Sequence, residues 1–407
     1  MNSMPPSGRR VGRPRLNRLQ PRTLEACEQI SELAHQLGSG SRLPKVVDLC
    51  EKFGLSLWTL NRALEELERR EVISRIQGSG IYVKPGVCRR ICVLLSAEYL
   101  QQPGHSPFWD TLVDATRDRT RLKGEVFLFH LMGPRKDGDP AIHAALERDI
   151  QEGAISGVLA IGVDARMMSR LEQQNVPVVS FAGQSTHNVR INMPELMRLG
   201  VGALARLGCR RIALWRPAQV YQREEGLKSP RGIYYNDAFE RACVANGVEF
   251  DVDLLRCNLE LIRRDGSHGR ISAQKQGYDT ALEVFANANA DGPKPDGILI
   301  SDDCMTDGAL SGLRKLGILP RRDITIASHA NEDSPVLIGE EDDLVLLEYS
   351  AQAVASALFR ILEKLMDGER PAPPNEILSP KLRWGTNYLP ASTANLPELS
   401  SSAAQPL

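Results

Sequence analysis

Apolar residues recur at helical spacing in three places near the start of the chain. Leu24, Cys27, Ile30, Leu33, Ala34 and Leu37 trace one stripe from Thr23, closed by Gly38-Ser39-Gly40. Val46, Leu49, Cys50 and Phe53 make a second after Leu43-Pro44, and Gly54 stops it. Ser56 is placed to cap a third helix, in which Leu60, Ala63, Leu64 and Leu67 form a buried face while Trp58, Asn61, Arg62 and Glu65 point away. The period then changes. Val72-Ile73-Ser74-Arg75-Ile76 and Ile81-Tyr82-Val83 read as strands around Gln77-Gly78-Ser79-Gly80, whose glycines permit a tight hairpin.

Two helices at a sharp angle followed by a hairpin predict a winged helix-turn-helix over residues 23–84, whose second helix fits the DNA major groove. Residues 85–90 form a short linker in which Pro85 and Gly86 argue against a helix. Beyond it, strand and helix patterns alternate. Ile91–Leu95, Val126–Phe129, Gly157–Ile161 and Val176–Phe181 are short apolar runs separated by amphipathic stretches at Trp109–Arg119 and Ala141–Glu152. A second series follows at Arg211–Trp215, Gly297–Ile300 and Asp323–Ala327, with helices around Ile233–Ala242, Gln276–Ala288 and Thr306–Leu316. Buried parallel strands with crossover helices read this way, so the fold class is α/β, with two lobes and a cleft between them.

The length of 407 residues favours two or three domains, and the composition is that of a soluble globular protein. No apolar run approaches the roughly 20 residues of a membrane span, and the arginine-rich start lacks the apolar core of a secretory signal, which implies a cytoplasmic protein. The 8 cysteines are scattered with no C-x-x-C pair, as reduced structural thiols are. The whole-chain charge of −1 conceals an asymmetry: residues 1–84 hold 14 Lys+Arg against 9 Asp+Glu, a surplus of +5 that leaves the remainder at −6. Residues 1–22 carry Arg9, Arg10, Arg13, Arg15, Arg18 and Arg22 with no acid, and residues 389–407 are of low complexity; both are expected to be disordered tails. Within the first, Val11-Gly12-Arg13-Pro14-Arg15 resembles an AT-hook, which places arginine in a narrow A·T minor groove. The alternative is a basic tail that adds nonspecific phosphate attraction.

Leu43-Pro44, Phe53-Gly54-Leu55-Ser56, Thr59-Leu60, Arg62-Ala63-Leu64, Leu67 and Gly78-Ser79-Gly80-Ile81-Tyr82-Val83 resemble the GntR-type DNA-binding domain. The chain departs from that family at Lys45-Val46-Val47, Leu57 and Asn61, so the resemblance does not carry over a DNA sequence preference. Residues 91 to about 388 resemble the sugar-sensing domain of the LacI/GalR family, which has a type I periplasmic-binding-protein fold. The landmarks are Ser106-Pro107-Phe108-Trp109, the run Leu204 to Ala213, Arg231 with Tyr235, Ala238 and Phe239, Ser301-Asp302-Asp303, and Gly317-Ile318-Leu319-Pro320 followed by Asp323 to Ser328. Tyr234 replaces a glycine of the family pattern, and the later acidic position falls near His329-Ala330-Asn331.

Candidate DNA contacts are Arg13 and Arg15 in the tail, Arg42, Lys45, Ser56, Trp58, Thr59, Asn61 and Arg62 on the helices, and Arg75, Gln77 and Ser79 on the wing. For any one of them the alternative is an ordinary solvated face. In the C-terminal half, Phe108 and Trp109 are expected to stack on a sugar ring, or else to be core aromatics. Arg231 is expected to donate a fork of hydrogen bonds, or else to be an ion-pair partner. The resemblance adds Asp302 as an acceptor from paired hydroxyls, Asp303 as a helix cap, His329 and Asn331 as lining residues, and Tyr349 from the lobe crossover.

The chain has no Gly-rich phosphate loop, G-x-S-x-G elbow, H-E-x-x-H or metal-spaced His/Cys cluster, so no enzyme, cofactor or metal is expected. The expected partners are an operator in double-stranded DNA, a carbohydrate-like effector and a second copy of the chain, with repression as the sign the resemblance implies. The alternatives are a nucleic-acid-binding protein whose second half only dimerises and a winged-helix/enzyme fusion, which would require a Schiff-base lysine in a recognisable setting.

Overall fold

The structure, a computed structural model, describes residues 20–38, 40–84, 89–100, 106–132, 144–174, 176–183, 185–218, 230–257, 271–286 and 294–388. The expected AT-hook with Arg13 and Arg15, most of the linker and the C-terminal tail lie outside these residues. Two compact units emerge, one holding the chain up to Arg90 with Asp118–Phe127, the other Ile91–Arg117 and Leu128 onward.

In the first unit, helices α1 (Pro21–Leu37), α2 (Val46–Phe53) and α3 (Leu57–Arg69) precede strands β1 (Ile73–Ile76) and β2 (Gly80–Val83). Gly54 ends α2 in the left-handed conformation at φ 62°, which its missing Cβ allows without strain. The Ser56 side chain then caps α3 by accepting from the Thr59 N–H at 3.1 Å. Leu60, Ala63, Leu64 and Leu67 of α3 are fully buried against Ala26, Ile30 and Ala34 of α1 and Leu49 of α2. The hairpin pairs Ile73 with Val83 and Ile76 with Gly80, and Arg42 bridges to Tyr82 to add a third extended segment. This is the expected winged helix-turn-helix.

The second unit is built on two six-stranded sheets. The first-lobe sheet contains β3 (Arg90–Ser96), β4 (Val126–Met132), β5 (Gly157–Ile161), β6 (Val178–Phe181) and β7 (Asn188–Ile191), with helices α4 (Ala97–Leu100), α5 (Phe108–Leu122), α6 (Ala144–Gln151) and α7 (Ala165–Glu172) in its connections. The second lobe begins with α8 (Met193–Arg206) and β8 (Ile212–Trp215), then α9 (Pro230–Ala245), β9 (Leu255–Arg256), α10 (Ala273–Phe285), β10 (Gly297–Ile300), α11 (Asp303–Lys315), β11 (Thr325–Asn331) and β12 (Val345–Tyr349). Helix α12 (Ala351–Met366) returns to pack on β5 and β6, β13 (Asn375–Leu378) joins β7, and β14 (Lys381–Trp384) joins β12 antiparallel in the second lobe.

The chain therefore passes between the lobes three times, at Asn192, after Tyr349 and after Leu378. Asn192 ties the three passages together. Its N–H donates to the Leu378 carbonyl at 2.7 Å, its Nδ2 to Ser379 Oγ at 3.1 Å, and its carbonyl accepts from the Tyr349 hydroxyl at 3.1 Å. Its Oδ1 is left to cap α8 through the Glu195 N–H at 3.2 Å.

Helices α10 and α11 meet backbone to backbone. A Cβ on Gly277 would lie 2.0 Å from the Met305 carbonyl oxygen, and one on Gly308 would lie 1.8 Å from that of Gln274. Neither neighbour is a side chain that can swing aside. Gly308→Ala is therefore expected to cost about 1–3 kcal/mol of stability, measured as a lowered denaturant midpoint; an unchanged midpoint would contradict the close crossing.

Candidate functional site

The outward face of α3 is the first candidate surface. Trp58 is 58 % exposed at its start although it is among the largest apolar side chains in the unit, and Leu57 beside it is 59 % exposed. Arg62 is exposed and pairs with Glu65 at 3.0 Å, a surface ion pair that a stronger anion can displace. Ser56 and Thr59 are engaged in the cap, their hydroxyls 2.8 Å apart. The backbone carbonyl of Asn61 accepts from Arg75 Nη2 at 3.3 Å, while the Arg75 N–H donates to Glu68 at 3.1 Å, so Arg75 fastens the hairpin to α3. Gln77 is exposed at the hairpin tip, and the Ser79 hydroxyl lies 2.8 Å from that of Tyr82. Arg42 lies against Gly80, and Lys45, exposed, precedes α2. Farther along α3, hydrogen bonds from Arg69 and then Arg70 hold the Glu66 carboxyl down at about 2, so these two arginines are neutralised by their own helix.

The second candidate site is the carboxyl edge of the second-lobe sheet. Leu214 pairs with Leu299 and Leu299 with Ala327, and all three face the α8 and α9 side of the sheet. Alternation along each strand brings Arg216, Ser301 and His329, two residues on, to that same side at the strand ends. The His329 ring lies 5.3 Å from that of Tyr349, and its Nδ1 is buried with no hydrogen-bond partner among the described residues. Burial lowers the His329 pKa, opposed by the negative field of Asp303, and keeps the imidazole neutral. Tyr349 is buried, its hydroxyl spent on Asn192, and burial raises its pKa.

Asp302 takes the cap position that the sequence suggests for Asp303. Asp302, rather than Asp303, caps α11, its Oδ1 accepting from the Met305 N–H at 2.7 Å. Asp303 is 1 % exposed and accepts from Asn331 Nδ2 at 2.8 Å and from Ser334 Oγ at 3.4 Å. The reason is one of register: α11 begins at Asp303, so the residue before it has the extended backbone of a cap. Burial, and then the charge of Asp303, push the Asp302 carboxyl up to about 7. Asn331 also lies 3.5 Å from Ser106 Oγ of the first lobe, a polar contact across the cleft.

On the first-lobe side, Phe108 is 8 % exposed inside a cluster with Trp109 at 5.2 Å and Phe181 at 5.9 Å between ring centroids, while Trp109 is half-buried and packs at a tilt against Tyr99, 4.2 Å between centroids. Arg231 falls on α9, with its side chain outside the described residues. Sequence reasoning did not single out Arg216. A lone arginine closing an apolar strand looks like the start of a solvated loop.

Residues 27–83 match the family model of bacterial regulatory proteins, gntR family, and residues 201–386 match that of the periplasmic binding protein-like domain. The chain joins a gntR-type helix-turn-helix to a periplasmic-binding-protein-like domain. Solved structures share the fold of the latter at low identity. A regulatory protein of the LacI family from Chloroflexus aggregans superimposes with a TM-score of 0.57 at 16 % identity, covering 72 % of this chain and 98 % of its own. The transcriptional regulator CelR–cellobiose complex gives 0.53 at 19 % identity, covering 88 % and 98 %. The Lac repressor dimer bound to operator and the anti-inducer ONPF gives 0.53 at 17 %, covering 73 % and 93 %. No curated protein sequence matches the chain. Among the described residues, no helix is long and apolar enough to cross a membrane.

Within the periplasmic-binding-protein-like domain, the raised Asp302 pKa means that folding disfavours its ionised form, so stability falls as pH rises from the ordinary carboxylate range through about 7. Asparagine caps as well as aspartate and carries no charge. Asp302→Asn is expected to melt above the wild type at about pH 8, with the gap closing by about pH 4, in paired thermal-unfolding scans; a variant that melts below the wild type at the higher pH would contradict the assignment.

Proposed function

We propose that the protein is a ligand-responsive transcription regulator, acting as a repressor and a homodimer in the cytoplasm. Residues 23–84 bind an operator, residues 91–388 close on a small polar effector, and residues 1–22 add phosphate contacts. The reading rests on one observation above all: a single chain carries a capped recognition helix with an exposed polar face and, separately, a two-lobed α/β domain with convergent polar groups at its strand ends. A sugar or sugar derivative suits a site with aromatic rings on one lobe and hydrogen-bonding groups on the other. The neighbours support this class, since CelR was solved with cellobiose and the Lac repressor as a dimer on its operator. They are regulators rather than enzymes, which favours binding over catalysis.

Effector binding changes operator affinity only if the effector binds one lobe arrangement better than another. The decisive experiment is capture of genomic fragments by the purified protein, followed by measurement of their affinity with and without candidate sugars. Selective enrichment of one operator class supports the reading; equal affinity for random duplex under every condition contradicts it.

Arg62→Ala is expected to weaken operator binding by about 1–3 kcal/mol while leaving effector affinity unchanged, as read by fluorescence anisotropy and calorimetry. Unchanged DNA affinity would remove α3 from the interface. Deleting residues 1–22 is expected to reduce the steepness with which log affinity falls against log salt, because each lost phosphate contact removes a counterion-release step. An unaltered slope would show that the segment touches no phosphate.

A further inference from the structure

Arg216 follows the last residue of β8 and is 5 % exposed, yet among the described residues no acid answers it. Its guanidinium lies 4.9 Å from the centre of the Tyr235 ring on α9, and its Nη2 has no hydrogen-bond partner among the described residues. Among the described residues, the polar groups whose fields reach it are the Cys257 thiol and the Tyr235 phenol, and neither is a carboxylate. A guanidinium does not escape burial by losing its proton, and an unpaired buried charge is strongly unfavourable. A stacking ring offsets part of that cost and leaves the hydrogen-bonding fork open.

The surroundings show where the open fork belongs. Arg216 stands in the same row as Ser301 and His329 at the carboxyl edge of the sheet, with β10 between β8 and β11, so its backbone is about 10 Å from that of His329. The His329 Nδ1 is a further buried polar atom on this face with no hydrogen-bond partner among the described residues. A donor that is always cationic at one end and a neutral ring nitrogen at the other describe a ligand with an anionic group and nearby hydroxyls.

We infer that Arg216 binds the oxyanion of an acidic effector, a sugar acid or a sugar phosphate, whose hydroxyl groups extend along Ser301 toward His329. The inference rests on the ligand-responsive reading above and narrows its effector from carbohydrates in general to those bearing a carboxylate or phosphoryl group.

Thermal unfolding and calorimetry of the full chain, at constant ionic strength set with chloride, test it with four probes: glucose, glucuronate, glucose 6-phosphate and inorganic phosphate. At least one of the three anions is expected to raise the wild-type melting temperature where glucose does not, and the larger response of glucuronate or glucose 6-phosphate tells carboxylate from phosphoryl. Arg216→Met is expected to weaken that anion's binding by roughly thirtyfold or more and, without any anion, to melt no lower than the wild type because a buried unpaired charge has gone. Arg216→Lys keeps the charge without the fork and is expected to retain part of the response. The inference is overturned if no anion binds, if anions bind the wild type and Arg216→Met alike, or if Arg216→Met and Arg216→Lys both melt well below the wild type without ligand, which would make Arg216 a structural residue. Glucose that binds wild type and Arg216→Met equally, with no preference for anions, overturns the role of Arg216 while sparing the ligand-responsive reading. That reading is judged in the same samples by operator affinity.

Discussion

The second unit turns on a single asparagine. Asn192 lies in one of the three passages of the chain between the lobes and is hydrogen-bonded to the other two, to Leu378 and Ser379 through its N–H and its side-chain amide and to Tyr349 through its carbonyl. A two-lobed domain can open and close only by small rotations about such passages, since each lobe is a packed core that resists bending. The network also reaches the site: Tyr349 gives its hydroxyl to Asn192 while its ring lies beside His329. The strand end that carries His329 is thereby joined through Tyr349 to the crossover at Asn192.

The strand ends are available for ligand binding because the central strands are committed to the core. Strands β5, β6, β8 and β10 are buried at every position, so they present no side chain to a ligand along their length. The residues just past the carboxyl ends of β8 and β10 are polar, and Arg216, Ser301 and Asp302 fall there. Asn331, tied to buried Asp303 and near Ser106 of the opposite lobe, is placed to register how closely the lobes approach. The first unit follows a simpler economy: its arginines at Arg69, Arg70 and Arg75 are bound to acids or carbonyls of the unit itself, and the start of α3 remains open.

Much of this architecture is legible in the sequence, for identifiable reasons. The winged unit is readable because its periodicities are strong and its turn residues, Gly54, Ser56 and Gly78, each have one local job. The central strands of both sheets are readable because burial on two faces demands unbroken apolar runs such as Gly157–Ile161 and Gly297–Ile300. The edge strands β13 and β14 are not, because sequences like Asn375-Glu376-Ile377-Leu378 are half-exposed and take their conformation from the neighbour they pair with. The contact of Gly277 and Gly308 with facing backbones, the capping of α11 by Asp302 rather than Asp303, and the burial of Arg216 against Tyr235 are equally invisible. Each depends on what lies opposite in space, and neighbours in sequence do not report it.

The central claim is that occupancy of the cleft and occupancy of the operator are coupled free energies, and coupling of that kind is reciprocal. Calorimetric titration of the effector into free protein and into protein saturated with operator measures it directly. The account predicts that the two effector affinities differ, by the same factor as that by which saturating effector changes operator affinity, about 5- to 150-fold. Identical effector affinities in the presence and absence of operator would contradict it.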